Sequence, residues 1–439
     1  MKIEPAAAVV GHVAVPGDKS ISHRALLIGA LGEGETRVSG FGRSGDTQAT
    51  LDAVRGLGVE VEDVADDELV VHGVGLRGLG LAMDNHGQPP MAIHGHTVFC
   101  ANSGTLMRLL AGVVAGQAGE FTLAGDESLS ARPMERVAEP LRRMGAAIET
   151  TDGHAPLVVR GSDSLRGIEL APEVASAQVK SAILLAGLNA AGQTTVVERV
   201  PTRDHTELML EAAGAGVRRS ASSVTVEPAG ALRLDEVVVP GDFSSAAPLL
   251  VAAALVPGSD VTIHDLGVNP RRTGLLDVLE RMGARVSVFD RRRLGGEPVA
   301  SLQVQPGELV ATEIGAEEVP ALVDELPLVA LLASHARGET RVGGARELRV
   351  KETDRIEAVT DGLRAFGARI RSRPDGWTIT GVPARLRGGR IDARGDHRIA
   401  MLGAVAGLAS REGVAIEGAD TAAISFPGFY ELLQSVTRR

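Results

Sequence analysis

Aromatic side chains are scarce in this chain: 8 Phe, 1 Trp and 1 Tyr among 439 residues. Proteins that grip nucleic acid stack bases on aromatics or present a basic face. With 45 Lys plus Arg against 56 Asp plus Glu, a net charge of −11, this chain is poorly equipped for either. A single Cys excludes a disulfide framework and any multi-cysteine metal site. The most apolar stretch, Ser245 to Pro257, is too short to span a bilayer. The N-terminus, MKIEPAAAVV, lacks the basic start, apolar run and cleavage site of a signal peptide. A cytoplasmic location and no membrane partner are therefore expected. Glycine, in contrast, is abundant at 54 residues, with no three-residue period. That abundance implies many turns and helix ends, hence many short elements. The length suggests two or three domains at about 100–200 residues each.

What is present is a repeat. Six segments share one order: a polar start, a small-residue apolar helix, a glycine turn and a short β-branched strand. They begin at Lys19, Asn102, Ser176, Asp242, Asp324 and Asp396. A second, amphipathic helix recurs between them and ends in glycine before a strand, as in LRRMGAAIE to Glu149 and LERMGARV to Val286. Each unit therefore reads strand, helix, strand, helix, strand. The first helix type is apolar nearly all round and should be buried; the second carries charge on one face and should be half exposed. The near-identical VPGDKS (Val15 to Ser20) and VPGDFSS (Val239 to Ser245) each precede a set of three repeats. They place hinges near residues 16–18 and 240–242. The expected domains are 18–240, and 241–439 completed by the N-terminal strand 1–17.

The starts of the apolar helices are polar. Ser, Asn and Asp there suit N-caps, and for Asp242 capping is the preferred reading. Lys19, Arg24 and Arg398 do not fit that pattern, because a cation opposes the positive end of the helix dipole. An anion held by free N–H groups would compensate. Arg132, Arg203, Arg271, Arg272, Lys351 and Arg355 precede the amphipathic helices at equivalent places. Together they point to one polyanionic ligand site between two halves.

GDKSISHRA, ANSGTLMR, SLSARPM, SAQVKSAILLAGL, PGDFSSAAPLL, ELRVKETDR, GDHRIAM and SFPGF resemble the 5-enolpyruvylshikimate-3-phosphate synthase family over essentially the whole chain. The resemblance implies an α/β fold of two similar domains, each of three βαβαββ repeats with buried parallel helices, the enolpyruvyl transferase fold. It implies transfer of the enolpyruvyl group of phosphoenolpyruvate to the 5-hydroxyl of shikimate 3-phosphate, on the shikimate pathway to chorismate and aromatic amino acids. No cofactor and no metal are implied, and a monomer is expected. It assigns Lys19 to both substrates. Ser20, Arg24, Ser176, Ala177, Gln178, Arg203 and Lys351 fall on the shikimate side. Arg132, Arg355 and Arg398, with the backbone around Asn102 and Gly104, would grip phosphoenolpyruvate. Asp324 becomes the base toward the 5-hydroxyl and Glu352 the proton donor to the enol methylene. Without the resemblance, Asp324 reads as a helix cap and Glu352 with Arg355 as a surface ion pair.

Three positions depart from the common family pattern: Ala177 for Ser, Arg203 for Tyr, and Ile424 for a Lys. An Arg at 203 could salt-bridge the shikimate phosphate. Gly104 is retained where some inhibitor-tolerant members of the family have Ala, and the resemblance implies that it leaves space for glyphosate. Two alternatives stand beside this reading. One is enolpyruvyl transfer to UDP-N-acetylglucosamine, which would need a reactive Cys; Cys100 sits in an apolar run and reads as a core residue. The other is a non-catalytic anion-binding protein of the same fold.

Overall fold

The computed structural model describes residues 1–82, 91–92 and 94–439. The chain forms two compact units, residues 17–239 with 294–297, and residues 1–16 with 240–293 and 298–439. The expected second domain included 294–297; these four residues, the end of a long hairpin, cluster instead with the first unit.

In the first unit, three helices lie inside: α1 (Lys19–Leu31), α3 (Gly104–Val114) and α5 (Ala177–Gly187). Between and after them come α2 (Gly45–Gly56), α4 (Glu135–Arg143) and α6 (His205–Ala212). Three four-stranded sheets surround the buried helices, and all have one plan. The strand after each buried helix pairs in parallel with one neighbour and antiparallel with the second arm of a hairpin. In the first sheet Glu33–Ser39 pairs with Glu68–Val74, which pairs with Glu60–Ala65. The parallel neighbour of Glu33–Ser39 is Glu236–Val238, from the far end of the unit. The other two sheets take theirs from the segment just before their helix, His94–Phe99 and Glu169–Leu170.

The second unit buries α7 (Phe243–Leu255), α9 (Leu326–His335) and α11 (His397–Ala409). Its outer helices are α8 (Gly274–Met282), α10 (Arg355–Ala365) and α12 (Phe429–Val436). The strand Ala8–Val13 is parallel to Asp260–Gly267, and Lys2–Ile3 is antiparallel to Val414–Glu417. The N-terminal segment thus fills two places in this unit's sheets. Each unit has its own apolar core. Among the described residues, no helix is long and apolar enough to cross a membrane.

The glycines act in two ways, of which the sequence suggested one. Gly58, Gly145, Gly214, Gly283 and Gly367, just past the outer helices, have φ between +83° and +101°, a region costly for residues with a Cβ. Others lie inside the buried helices and permit close packing. A Cβ at Gly112 of α3 would stand 2.2 Å from the Ala182 carbonyl oxygen of α5. A Cβ at Gly407 of α11 would stand 2.7 Å from the Ile3 side chain.

Candidate active site

In the first unit the starts of α1, α3 and α5 carry the polar side chains. Asp18 caps α1, its Oδ1 accepting from the Ile21 N–H at 2.9 Å. Lys19 is the first helical residue and its Nζ donates to Asp46 of α2 at 2.6 Å. Ser20 follows, half buried. Arg24 lies in the second turn, so the dipole argument made for Lys19 does not extend to it. It is buried, with Nε donating to Thr206 Oγ1 (2.7 Å), Nη1 to the Ser20 carbonyl (2.7 Å) and Nη2 to Ser181 Oγ (3.0 Å). Loss of water lowers its pKa to about 10; Glu207 and Asp18 oppose this, and the positive Arg203 adds to it.

Ser103 caps α3 by accepting from the Leu106 N–H at 3.2 Å. Gly104 opens the helix. A Cβ there would lie 2.8 Å from Arg108 Nη1 and 3.3 Å from Arg132 Nη1. The Asn102 carboxamide donates to Asp126 at 2.7 Å and accepts from Arg132 Nη2 at 2.5 Å. Ser176 caps α5, accepting from the Val179 N–H at 3.4 Å, with Ala177 as its first residue. Gln178 accepts from Arg108 Nη1 at 2.6 Å and donates to Thr105 Oγ1 at 2.8 Å. The starts of α3 and α5 are therefore tied through Arg108, a residue that sequence reasoning did not single out. Its only signal was a cation one turn beyond Gly104.

The second unit holds the two carboxylates. Asp242 does cap α7, accepting from the Ser244 N–H at 2.9 Å. Asp324 is not the cap residue of its helix; Glu325 takes that position. Asp324 instead faces three cations: Arg355 Nη1 at 3.5 Å, Lys351 Nζ at 3.8 Å and Arg398 Nη2 at 3.9 Å. Glu352 accepts from Arg355 Nη2 at 2.6 Å. This is no surface ion pair, because the Arg355 side chain is only 1 % exposed. Arg355 Nε also donates to Asp396 at 2.8 Å. Burial disfavours the Arg355 charge, yet Asp396 and Glu352 outweigh that and hold it firmly protonated.

Arg398 stands at the second position of α11, its N–H bound by the cap Asp396 at 2.9 Å. Its guanidinium donates to Ser244 Oγ at 2.9 Å and to Glu325 at 3.4 Å. Glu325 is wholly buried and also accepts from Arg272 at 3.0 Å. Neither Glu325 nor Ser244 was foreseen; only adjacency to Asp324 and Asp242 hinted at them. Cys100 is buried beside the Val98 carbonyl, and burial pushes its thiol up to about 12. Ile424 ends a 3₁₀ turn, Ala419–Ile424, and brings no charge. Among the described residues, no group of three or more His, Cys, Asp or Glu side chains is placed to hold a metal ion.

Two sets of side chains built on helix N-termini, rich in guanidinium and each within its own unit, define a protein suited to handling anions. The architecture is shared with the enolpyruvyl transferase NikO from Streptomyces tendae, with a TM-score of 0.75 at 19% identity, over 99% of this chain and 96% of that one. The EPSP synthase (3-phosphoshikimate 1-carboxyvinyltransferase) family model matches residues 3–433. The chain is 48% identical over 433 residues to the 3-phosphoshikimate 1-carboxyvinyltransferase of Methylococcus capsulatus, covering 98% of this chain and 96% of the relative. It is 46% identical over 439 residues to that of Salinibacter ruber, covering 99% of each. The solved EPSP synthase of Acinetobacter baumannii superposes with a TM-score of 0.85 at 42% identity, over 99% of this chain and 98% of that one. The chain belongs to the EPSP synthase family.

Proposed function

We infer that the chain transfers the enolpyruvyl group of phosphoenolpyruvate to the 5-hydroxyl of shikimate 3-phosphate and releases phosphate. The observation that carries the chemistry is the pair Asp324 and Glu352, two carboxylates held by one buried guanidinium, Arg355, at 3.5 and 2.6 Å. The reaction needs a base at the attacking hydroxyl and an acid at the enol methylene. Asp324 takes the 5-hydroxyl proton as the oxygen bonds to C2. Glu352, protonated, delivers its proton to C3. The resulting tetrahedral adduct carries both the new ether and the phosphate. Glu352, now a carboxylate, takes a proton back from C3, the C2–O bond to phosphate breaks, and the proton first removed leaves with the phosphate.

The remaining residues bind and neutralise. Lys19 serves both substrates, and Ser20, Arg24, Ser176, Ala177, Gln178, Arg203 and Lys351 serve shikimate 3-phosphate. Arg132 and Arg398, with Asn102 and the Gly104 backbone, hold phosphoenolpyruvate, while Arg355 aligns the two carboxylates and adds positive charge. Fixed cations stabilise the charge that develops on the departing phosphate. Residues 16–18 and 240–242, where the chain passes from one unit to the other, are the proposed hinges.

The test is a phosphate-release assay with phosphoenolpyruvate and either acceptor. Release is expected with shikimate 3-phosphate. Release only with UDP-N-acetylglucosamine would transfer the chain to the cell-wall reaction, and none with either would leave a binding protein. Against the cell-wall reading stands Cys100, whose buried thiol is held in the protonated, unreactive form.

A further inference from the structure

Helix α5 is apolar nearly all round, yet it carries one charge inside. Lys180 is 1 % exposed. Its ammonium donates to Glu198 at 2.9 Å, to Glu207 at 2.7 Å and to the Thr202 carbonyl at 3.3 Å. Glu198 in turn accepts from the Thr202 N–H at 2.9 Å and from Thr202 Oγ1 at 2.6 Å. One lysine thus pins both ends of the loop between the strand Thr194–Val197 and α6. Arg203 stands on that loop, next to Thr202.

A buried ion pair is weak evidence of stabilisation, since an apolar replacement is often as stable. It does fix a single geometry. The geometry is needed here because Arg203 raises the positive potential at Arg24, and like charges repel. Arg24 cannot give way: Ser181 and Thr206 hold it, and these residues flank Lys180 and Glu207 in sequence. Lys180 ties that loop to α5 through Glu198 and the Thr202 carbonyl, and so fixes where the backbone of Arg203 stands relative to the dianion it is read to bind.

We propose that Lys180 is a positioning residue that sets the preference for the phosphorylated substrate, by tethering through Glu198 and Thr202 the loop that presents Arg203. This rests on the reading of Arg203 as a phosphate ligand.

The test compares binding of shikimate 3-phosphate and of shikimate by calorimetry, for the unaltered protein, Lys180→Met, Thr202→Val and Arg203→Gln. Lys180→Met is expected to lower the affinity ratio of phosphorylated to unphosphorylated ligand by about tenfold or more, with shikimate binding changed less than about twofold, since only a charge-assisted phosphate contact is lost. Thr202→Val removes one bond to Glu198 and should lower the ratio in the same direction by less. The double variant Lys180→Met/Arg203→Gln should lose no more than Arg203→Gln alone, as for residues that act as a unit. Equal weakening of both ligands, or an unchanged ratio, would overturn the proposal. If Lys180→Met does not fold, Thr202→Val and Glu198→Gln decide by the same ratio. A ratio unmoved by Arg203→Gln would instead remove the reading of Arg203, whatever Lys180 does.

Discussion

At the residue scale the chemistry turns on which charges have been placed where. Asp324 and Glu352 share Arg355, yet Asp324 also faces Lys351 and Arg398 whereas Glu352 is held by Arg355 at 2.6 Å. On the proposed assignment Asp324 is the base and Glu352 the acid. Asp324→Asn and Glu352→Gln are each expected to lower kcat by about 10²–10⁴-fold, the usual loss of a general acid or base, and Glu352→Gln also to lower the melting temperature, because its partner Arg355 is buried. Steady-state kinetics beside thermal scans will check this. His23 gives a second prediction. It is fully buried, with Nδ1 against Thr50 Oγ1 at 2.6 Å, and burial lowers its pKa from 6.5 to about 3 despite Asp46. The folded state therefore resists a proton that the unfolded chain accepts. Stability should fall as pH drops below 6.5, by up to about 1.4 kcal/mol per pH unit from this group, until its folded pKa near 3. Denaturant unfolding at several pH values should show a shallower acid limb in His23→Asn; identical limbs would contradict the assignment. The candidate site residues could be named from the sequence because most stand at helix starts or in short motifs. Arg108, Lys180 and Glu325 were not, because a charge inside an apolar helix or beside a cap looks the same whether it is solvated or paired.

At the element scale the buried helices explain the composition. Gly112 allows α3 to meet α5, where a Cβ would fall 2.2 Å from a backbone oxygen that has no rotamer to retreat into. Gly112→Ala is expected to cost about 1–3 kcal/mol, the range for overpacking, and more if the helices part. Urea unfolding will measure it. Gly104→Ala is different in kind, because the obstructing atoms belong to the arginine side chains Arg108 and Arg132. It should be nearly neutral for stability. However, Arg108 also holds Gln178, so the KM values of both substrates should rise, and glyphosate inhibition should weaken by about tenfold, as expected when a methyl group fills a close-packed contact. Unchanged inhibition would remove the steric account. The periodic apolar pattern and the glycine after each outer helix made helix positions readable. Pairing partners were not readable where Glu236–Val238 closes the first sheet or Lys2–Ile3 pairs with Val414–Glu417, since strands so distant in sequence are joined only by packing.

At the scale of the whole molecule there are two units with separate cores, one made of residues between Ile21 and Val239, the other running from Ala6 to Val436 with that stretch left out. Two cores need not melt together. Differential scanning calorimetry is expected to give a van't Hoff enthalpy below the calorimetric one for the unliganded chain. Equal enthalpies would show a single cooperative unit.

The sequence alone determined the six-fold repeat, the alternation of buried and half-exposed helices, the Asp242 cap and the inert place of Cys100. These follow from local periodicity and from residue types whose cost of burial or capping depends on near neighbours. The tertiary structure decided that Asp324 is not a cap, that Glu352 and Arg355 are not a surface pair, that glycines line helix contacts and that residues 294–297 group with the first unit. Each depends on what a side chain meets across tens or hundreds of residues, and the energy of a charge or a Cβ is set by that neighbour rather than by its place in the chain.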